Sequence, residues 1–176
     1  MRRALTAFAV AFVALAGAAG AQPVDVGGWR EIAWPYPRDA WPAGRAFRCI
    51  SEACGGEVEV YLRPKAGFCN CDTGVADDDE VDRVADLDLI SERFVPLQAG
   101  HGIGIAGMSG RSRSYQLQMA DGAQHTAIGM AVSHRCDVLV AVAQGKGTAQ
   151  DVERAALAFL GTPEMTRWMN AAMNGG

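Results

Sequence analysis

The sequence predicts an α+β domain: an antiparallel sheet of about five strands, with helices packed on one face and two helices closing the chain. Three observations carry this prediction. Apolar and polar residues alternate with period two in several segments between 58 and 143, apolar residues return at helical spacing after 148, and turn residues separate the strand-like runs.

In chain order, Met1-Arg2-Arg3 gives a short basic start, and residues 4–16 are apolar apart from Thr6. Ala19-Gly20-Ala21 then supplies the small-x-small pattern of a signal-peptidase site. Residues 1–21 are therefore expected to be a signal peptide, and the chain to be exported, periplasmic or secreted. The apolar run falls short of the ~20 residues a spanning helix needs. No later stretch approaches that length, and the first cysteine, Cys49, lies far from any cleavage point, so no stable membrane anchor is expected. Arg2-Arg3 also fits a twin-arginine signal, although two arginines begin most ordinary signals.

Cleavage after Ala21 would leave 155 of the 176 residues, enough for one domain with a sizeable core. Of 16 basic residues, Arg2 and Arg3 would be lost, leaving 14 against 20 acidic residues and a formal charge of −6. That balance argues against nucleic acid and anionic lipid as partners.

Residues 22–47 read as an irregular leading segment rich in tryptophan and proline. Trp34-Pro35-Tyr36-Pro37 and Trp41-Pro42 place prolines where neither a helix nor a central strand holds them. Trp29, Trp34, Tyr36 and Trp41 are expected to lie across the domain and cover an apolar face; the sharper reading makes them a strip that recognises a protein partner. Residues 48–176 then form the single α+β domain.

Val58, Val60 and Leu62 alternate with Glu57, Glu59 and Tyr61, a half-buried strand. The acidic run Asp77 to Glu80 suits the positive end of a short helix over 78–86. Residues 103–108 are expected as a thin, glycine-rich strand. The alternation from Arg111 to Met119, the turn pair Asp121-Gly122 and the run from Thr126 to Ser133 make a hairpin. Residues 134–137 link to Val138–Ala143, a run apolar on both faces as in a central strand. Thr148 caps a helix with Val152, Ala156, Phe159 and Leu160 on one stripe, and Gly161 stops it. Thr162-Pro163 starts another, striped by Met165, Trp168, Met169 and Met173.

The five cysteines, 49, 54, 69, 71 and 136, are the densest chemical signal. In an oxidising compartment the simplest arrangement is two disulfides and one leftover thiol. A bridge between Cys69 and Cys71 would close a strained ring, so each is expected to reach another partner, and pairing of Cys49 or Cys54 with Cys69 or Cys71 would staple the leading segment to the first strand. An alternative reading takes Cys69-x-Cys71 and His134-x-Cys136 as two ligand pairs: three thiolates and an imidazole suit tetrahedral zinc or cuprous copper. A further one makes Cys69-Asn70-Cys71 a thiol-redox pair, without the Cys-x-x-Cys helix start of thioredoxin-like enzymes.

No catalytic residue is assigned. Gly102-Ile-Gly104-Ile-Ala-Gly107 spells a dinucleotide fingerprint but has no helix after it. The acids between 72 and 88 lack calcium-loop spacing. His101, His125 and His134 stand singly. The expectation is a non-enzymatic, exported binding or accessory protein held by disulfides and needing no cofactor, with zinc or copper binding or thiol-redox maintenance as the alternative.

Overall fold

The computed structural model describes residues 25–37, 39–67 and 70–175, so the signal-type segment 1–21 and Cys69 lie outside the described residues. In chain order the strands and helices are β1 (Asp25–Val26), β2 (Trp29–Ile32), β3 (Arg45–Cys49), β4 (Val58–Lys65), α1 (Asp78–Val84), β5 (Phe94–Pro96) and β6 (His101–Ile105). They continue with β7 (Met108–Gln118), β8 (Gln124–His134), β9 (Asp137–Gly145), α2 (Ala149–Leu160) and α3 (Pro163–Asn174).

Among the described residues all nine strands belong to one antiparallel sheet in the order β1-β2-β3-β4-β9-β8-β7-β5, with β6 also paired to β7. The sheet is thus larger than the five strands expected. The excess comes from two places where the sequence shows little periodicity. Within 22–47, β1, β2 and most of β3 form by pairing outward from β4, and among the described residues irregular backbone runs over 33–37 and 39–44. In the glycine-rich stretch, the expected single strand 103–108 is a hairpin: Ile105 pairs with Met108 across Ala106-Gly107, both in the left-handed region (φ 54° and 80°) that glycine adopts freely.

The expected hairpin across Asp121-Gly122 is present as β7 and β8, and β9 is central and buried on both faces. Its alternate residues go to two separate cores. Leu139, Ala141 and Ala143 join Val58, Val60, Leu62, Ile128, Met130 and Val132 under α2 and α3. Val138, Val140 and Val142 join Tyr115, Leu117, Ala127 and Ala131 under Val81 and Val84 of α1. Helices therefore cover both faces, not one: the short stripe of α1 suffices because Gly129 and the alanines of β8 leave room for it.

The starts of α2 and α3 follow the caps read from the sequence, and α1 adds a cap at Asp77, the first residue of the acidic run. The side chains of Asp77, Thr148 and Thr162 accept hydrogen bonds from the backbone N–H of Glu80, Asp151 and Met165. Met165, Met169 and Met173 are buried in the α2/α3 core. There Phe159 stacks on Trp29 with centroids 4.5 Å apart and meets Phe47 at 4.8 Å, joining α2 to β2 and β3. Phe159→Ala is expected to cost about 3–5 kcal/mol of stability, read as a lower denaturation midpoint with unchanged slope.

Candidate functional site

Strand β4 sends Val58, Val60 and Leu62 to the α2/α3 core, so Glu59, Tyr61, Arg63 and Lys65 must face the α1 side. Neighbouring strands and the segment after α1 close over these polar positions: Arg63 is 2% and Lys65 5% exposed. Two buried cations need anions. Asp86, just beyond α1, serves both. Arg63 donates to its two oxygens at 2.7 and 2.8 Å, and Lys65 donates to Oδ1 at 2.7 Å and to the Val84 carbonyl at 2.8 Å. The remaining edge of Arg63 donates to both oxygens of Asp39 at 2.9 and 2.8 Å.

Asp39 belongs to the proline-rich segment whose described residues, 33–37 and 39–44, lie as a strap over β4. Gly44 is where the strap passes closest: a Cβ there would stand 2.4 Å from the Leu62 carbonyl oxygen and 2.6 Å from the Trp34 ring. Trp34 and Tyr36 meet each other and Tyr61 edge to face, at 5.0–6.3 Å between centroids. Arg63 lies under the Trp34 ring at 5.7 Å and Lys65 under Trp41 at 5.9 Å. Trp34, Tyr36 and Trp41 stay half-buried, whereas Trp29 is in the opposite core. Beside the strap opens a cavity of about 340 Å³, lined by Trp41, Arg63, Lys65, Asp86, Asp88 and Phe94 among others.

A second polar network continues along the same face. Tyr61 donates to Glu59 and accepts from Tyr36, and Gln144 of β9 donates to Glu59 at 2.8 Å and to the Tyr61 hydroxyl at 3.2 Å. Arg48 donates to the other Glu59 oxygen at 2.6 Å. Burial works to raise the Glu59 pKa, but the hydrogen bonds from Tyr61, Arg48 and Gln144 outweigh it, and the carboxylate is held below its usual range. Burial, followed by the bond to Glu59, pushes Tyr61 up to about 12. Alongside lies a cavity of about 320 Å³ lined by Glu57, Glu59, Asp121, His125, Gln144 and Lys146 with Ala123 and Gly145.

At the other end of the face, α1 is tied to β7. Arg111 donates to Asp78 at 2.7 Å, Arg113 to Asp82 at 2.6 Å, and Tyr115 to Asp82 at 2.5 Å. Asp78 also accepts from the Gly100 N–H at 2.9 Å; that bond and Arg111 hold its carboxyl below the usual range.

The cysteines pair as Cys49–Cys54 and Cys71–Cys136. The first bridge is local, closed by the helical turn Glu52–Cys54, and not the staple to Cys69 or Cys71 expected from the sequence: the turn leaves the two α-carbons 6.3 Å apart. The second spans 65 residues and fixes the segment before α1 to the β8–β9 turn, with both cysteines exposed. Of the proposed metal ligands, Cys71 and Cys136 are thus joined to each other, and a disulfide sulfur is not a thiolate ligand. Strand alternation points His134 to the face opposite Ser133, which packs against Gly74 of the Cys71 segment. Among the described residues no group of three or more His, Cys, Asp or Glu side chains is arranged to hold a metal ion. His101 stands 3.3 Å from Glu153, which also accepts from Ser112.

Sequence reasoning missed Arg63, Lys65, Asp86 and Gln144, because polar residues alternating along a strand read as a solvent-facing edge. The available signal was their position: charges on a strand between two apolar ones must be paired.

No family model and no curated protein matches the chain. A solved structure of a Pseudomonas aeruginosa protein of unknown function, described there as a candidate regulator, aligns over 86% of this chain and 83% of its own. The identity is 17% and the TM-score 0.34, too distant to carry an argument.

Removing Asp86 leaves two buried cations short of an anion, so Asp86→Ala is expected to lose about 3–5 kcal/mol, whereas Asp39→Asn, at the solvent-facing edge of the cluster, loses much less in denaturant titrations. Hydrogen bonds from Arg63 lower Asp39 from 3.8 to about 2. Its contribution is therefore present above about pH 4 and lost as the pH falls toward 2, so Asp39→Asn should shed less stability than the parent over that window. Cys71→Ser is expected to cost about 2–5 kcal/mol under oxidising conditions and nothing once both proteins are reduced.

Proposed function

We propose that this chain is an exported, disulfide-held binding or accessory protein without catalysis of its own, which takes a protein partner on the strap side of the sheet. The observation that carries the reading is the strap itself. Three large aromatic side chains, Trp34, Tyr36 and Trp41, are fixed from beneath by Arg63, Lys65 and Tyr61 and yet stay half-exposed, Trp41 at the wall of an open cavity. Anchored aromatics of this kind add contact area at little entropic cost, which is how binding surfaces concentrate affinity. The signal-type start and the two disulfides support an oxidising compartment. Beneath the strap, Arg63, Lys65, Asp86 and Asp39 are committed to one another, as suits a scaffold.

A second reading, thiol exchange outside the cytoplasm, draws on one feature: the Cys71–Cys136 bridge is exposed, and a fifth cysteine, Cys69, precedes it by two residues.

Fractionation of cells making the full chain, with intact mass of the unreduced product, tests export and pairing together. The expected product lies outside the cytoplasm, begins after Ala21 and weighs about 4 Da less than its reduced form. A photo-crosslinking residue replacing Trp41 should then yield one discrete adduct in that compartment, and the same residue at exposed Arg167 on α3 should not. Cytoplasmic retention would defeat the export reading, and equal labelling from both positions would defeat the partner surface.

A further inference from the structure

The two disulfides differ in what can reach them. Cys49 is 0% and Cys54 6% exposed, and both belong to the α2/α3 core with Trp29 and Val58. The Ser51 hydroxyl lies 3.3 Å from Cys49 Sγ and 3.8 Å from Cys54 Sγ and fills the space beside that bridge. Cys71 and Cys136, by contrast, are both exposed. Thiol–disulfide exchange requires a thiolate to strike a sulfur directly, so its rate follows access. A reductant can meet the second bridge in the folded protein, whereas the first must wait for the core to open.

The exposed bridge is also the principal tie of the segment that carries Cys71. Among the described residues, the hydrogen bonds of 70–77 run inside the segment or to Glu80 of α1, and none reaches the sheet. Gly74 N–H donates to the Asn70 carbonyl at 2.7 Å, Asp72 N–H to the Asn70 side chain at 3.1 Å, and Ala76 N–H to Glu80 at 2.6 Å. Contact with the sheet comes from Gly74, so close to Ser133 that a Cβ would stand 2.3 Å from its hydroxyl oxygen, and from Val75, 7% exposed in the α1-side core. Further along, Arg111 holds Asp78 and Arg113 holds Asp82, so α1 keeps its place without the bridge.

We infer that Cys71–Cys136 is a redox latch: a dithiol reductant opens it in the folded chain, and residues 70–77 then leave the β8–β9 turn and lift Val75 from the core, while α1, the sheet and Cys49–Cys54 stay as they are. In the first step a reductant thiolate attacks one bridge sulfur, forms a mixed disulfide and expels the other cysteine as a thiolate, which takes up a proton. The second reductant thiol then displaces the remaining cysteine as a thiol. Two electrons and two protons pass to the bridge, and the reductant leaves as a disulfide. The latch rests on the same exposed bridge as the thiol-exchange reading but needs no turnover of a substrate.

The test blocks the oxidised protein with iodoacetamide, treats it with dithiothreitol in the absence of denaturant, tags new thiols with N-ethylmaleimide and places the tags by peptide mass. Tags are expected at Cys71 and Cys136 at least about tenfold sooner than at Cys49 and Cys54. In hydrogen exchange the reduced protein should lose protection at Gly74 and Ala76 by at least about tenfold, with β8, β9 and α2 unchanged. Equal tagging rates at all four cysteines would overturn the latch, as would protection at Gly74 and Ala76 that survives reduction. Loss of protection across the whole sheet would make the bridge a staple of the fold and overturn it as well. The thiol-exchange reading fails by a different measurement, when catalytic amounts of the chain do not speed the reduction of insulin by dithiothreitol.

Discussion

Arg63 and Lys65 occupy positions of β4 that a buried strand would ordinarily give to apolar side chains, and their neutralisation organises the whole α1 side of the sheet. Asp86 answers both cations, Asp39 completes the guanidinium, and the Val84 carbonyl accepts a further hydrogen bond from the lysine. Burial alone would weaken the charged form of Arg63; the bonds to Asp86 and Asp39 outweigh it and lift the pKa above its ordinary value. Three segments distant in sequence, the strap, β4 and the end of α1, are thus fixed in one arrangement. Ion pairs of this depth add little net stability compared with an apolar core, and their attested use is to single out one packing among several. Here the alternative arrangements would place the strap or α1 elsewhere on the sheet and strand two charges.

The two faces hold their helices by different means. Over the α2/α3 face the contact is apolar throughout: Trp29, Phe47 and Phe159 stack, and the methionines of α3 fill the remaining space. On the other face a small apolar core beneath Val81 and Val84 is flanked by charge on each side, with Arg111 and Arg113 holding Asp78 and Asp82 at one end and the Arg63 cluster at the other. A helix of seven residues has too little apolar surface to dock by itself, and the ion pairs set its position.

Elements whose specification lies within a dozen residues were legible in the sequence. The hairpin through Asp121-Gly122, the doubly buried β9 and the capped helices α2 and α3 each combine a periodic run with its own start or stop residues. Strands β1 to β3 were not, since Trp29–Ile32 and Arg45–Cys49 acquire extended structure from pairing with a neighbour, and prolines 35, 37 and 42 between them obscure the pattern. The second helical face was hidden because its helix is short and the β8 residues beneath it are Ala127, Gly129 and Ala131, too small to register as a core stripe. Cysteine pairing depends on which turns meet in space, and neither the helical turn at Cys54 nor the β8–β9 turn at Cys136 shows that in its spacing. Of the candidate site, the aromatics of the strap stood out at once, while Gln144 reads as one polar residue at the end of a strand until its hydrogen bonds to Glu59 and Tyr61 are seen.

The pairing of β4 with β9 sets the order in which the molecule can be completed. Val58 meets Gly145 and Lys65 meets Val138, so each contact spans more than seventy residues of chain, and everything from α1 to β8 must first be threaded between them. Closing so long a loop before any of its contacts is made carries an entropic penalty, and sheets built on distant pairings fold slowly for that reason. The β7–β8–β9 meander, with neighbours in sequence paired in space, can form early; β4 and the strands beyond it must wait. If residues 1–21 direct passage through a channel that accepts only unfolded polypeptide, this delay keeps the chain in a transportable state, and the centre of the sheet closes only after synthesis has long passed β4.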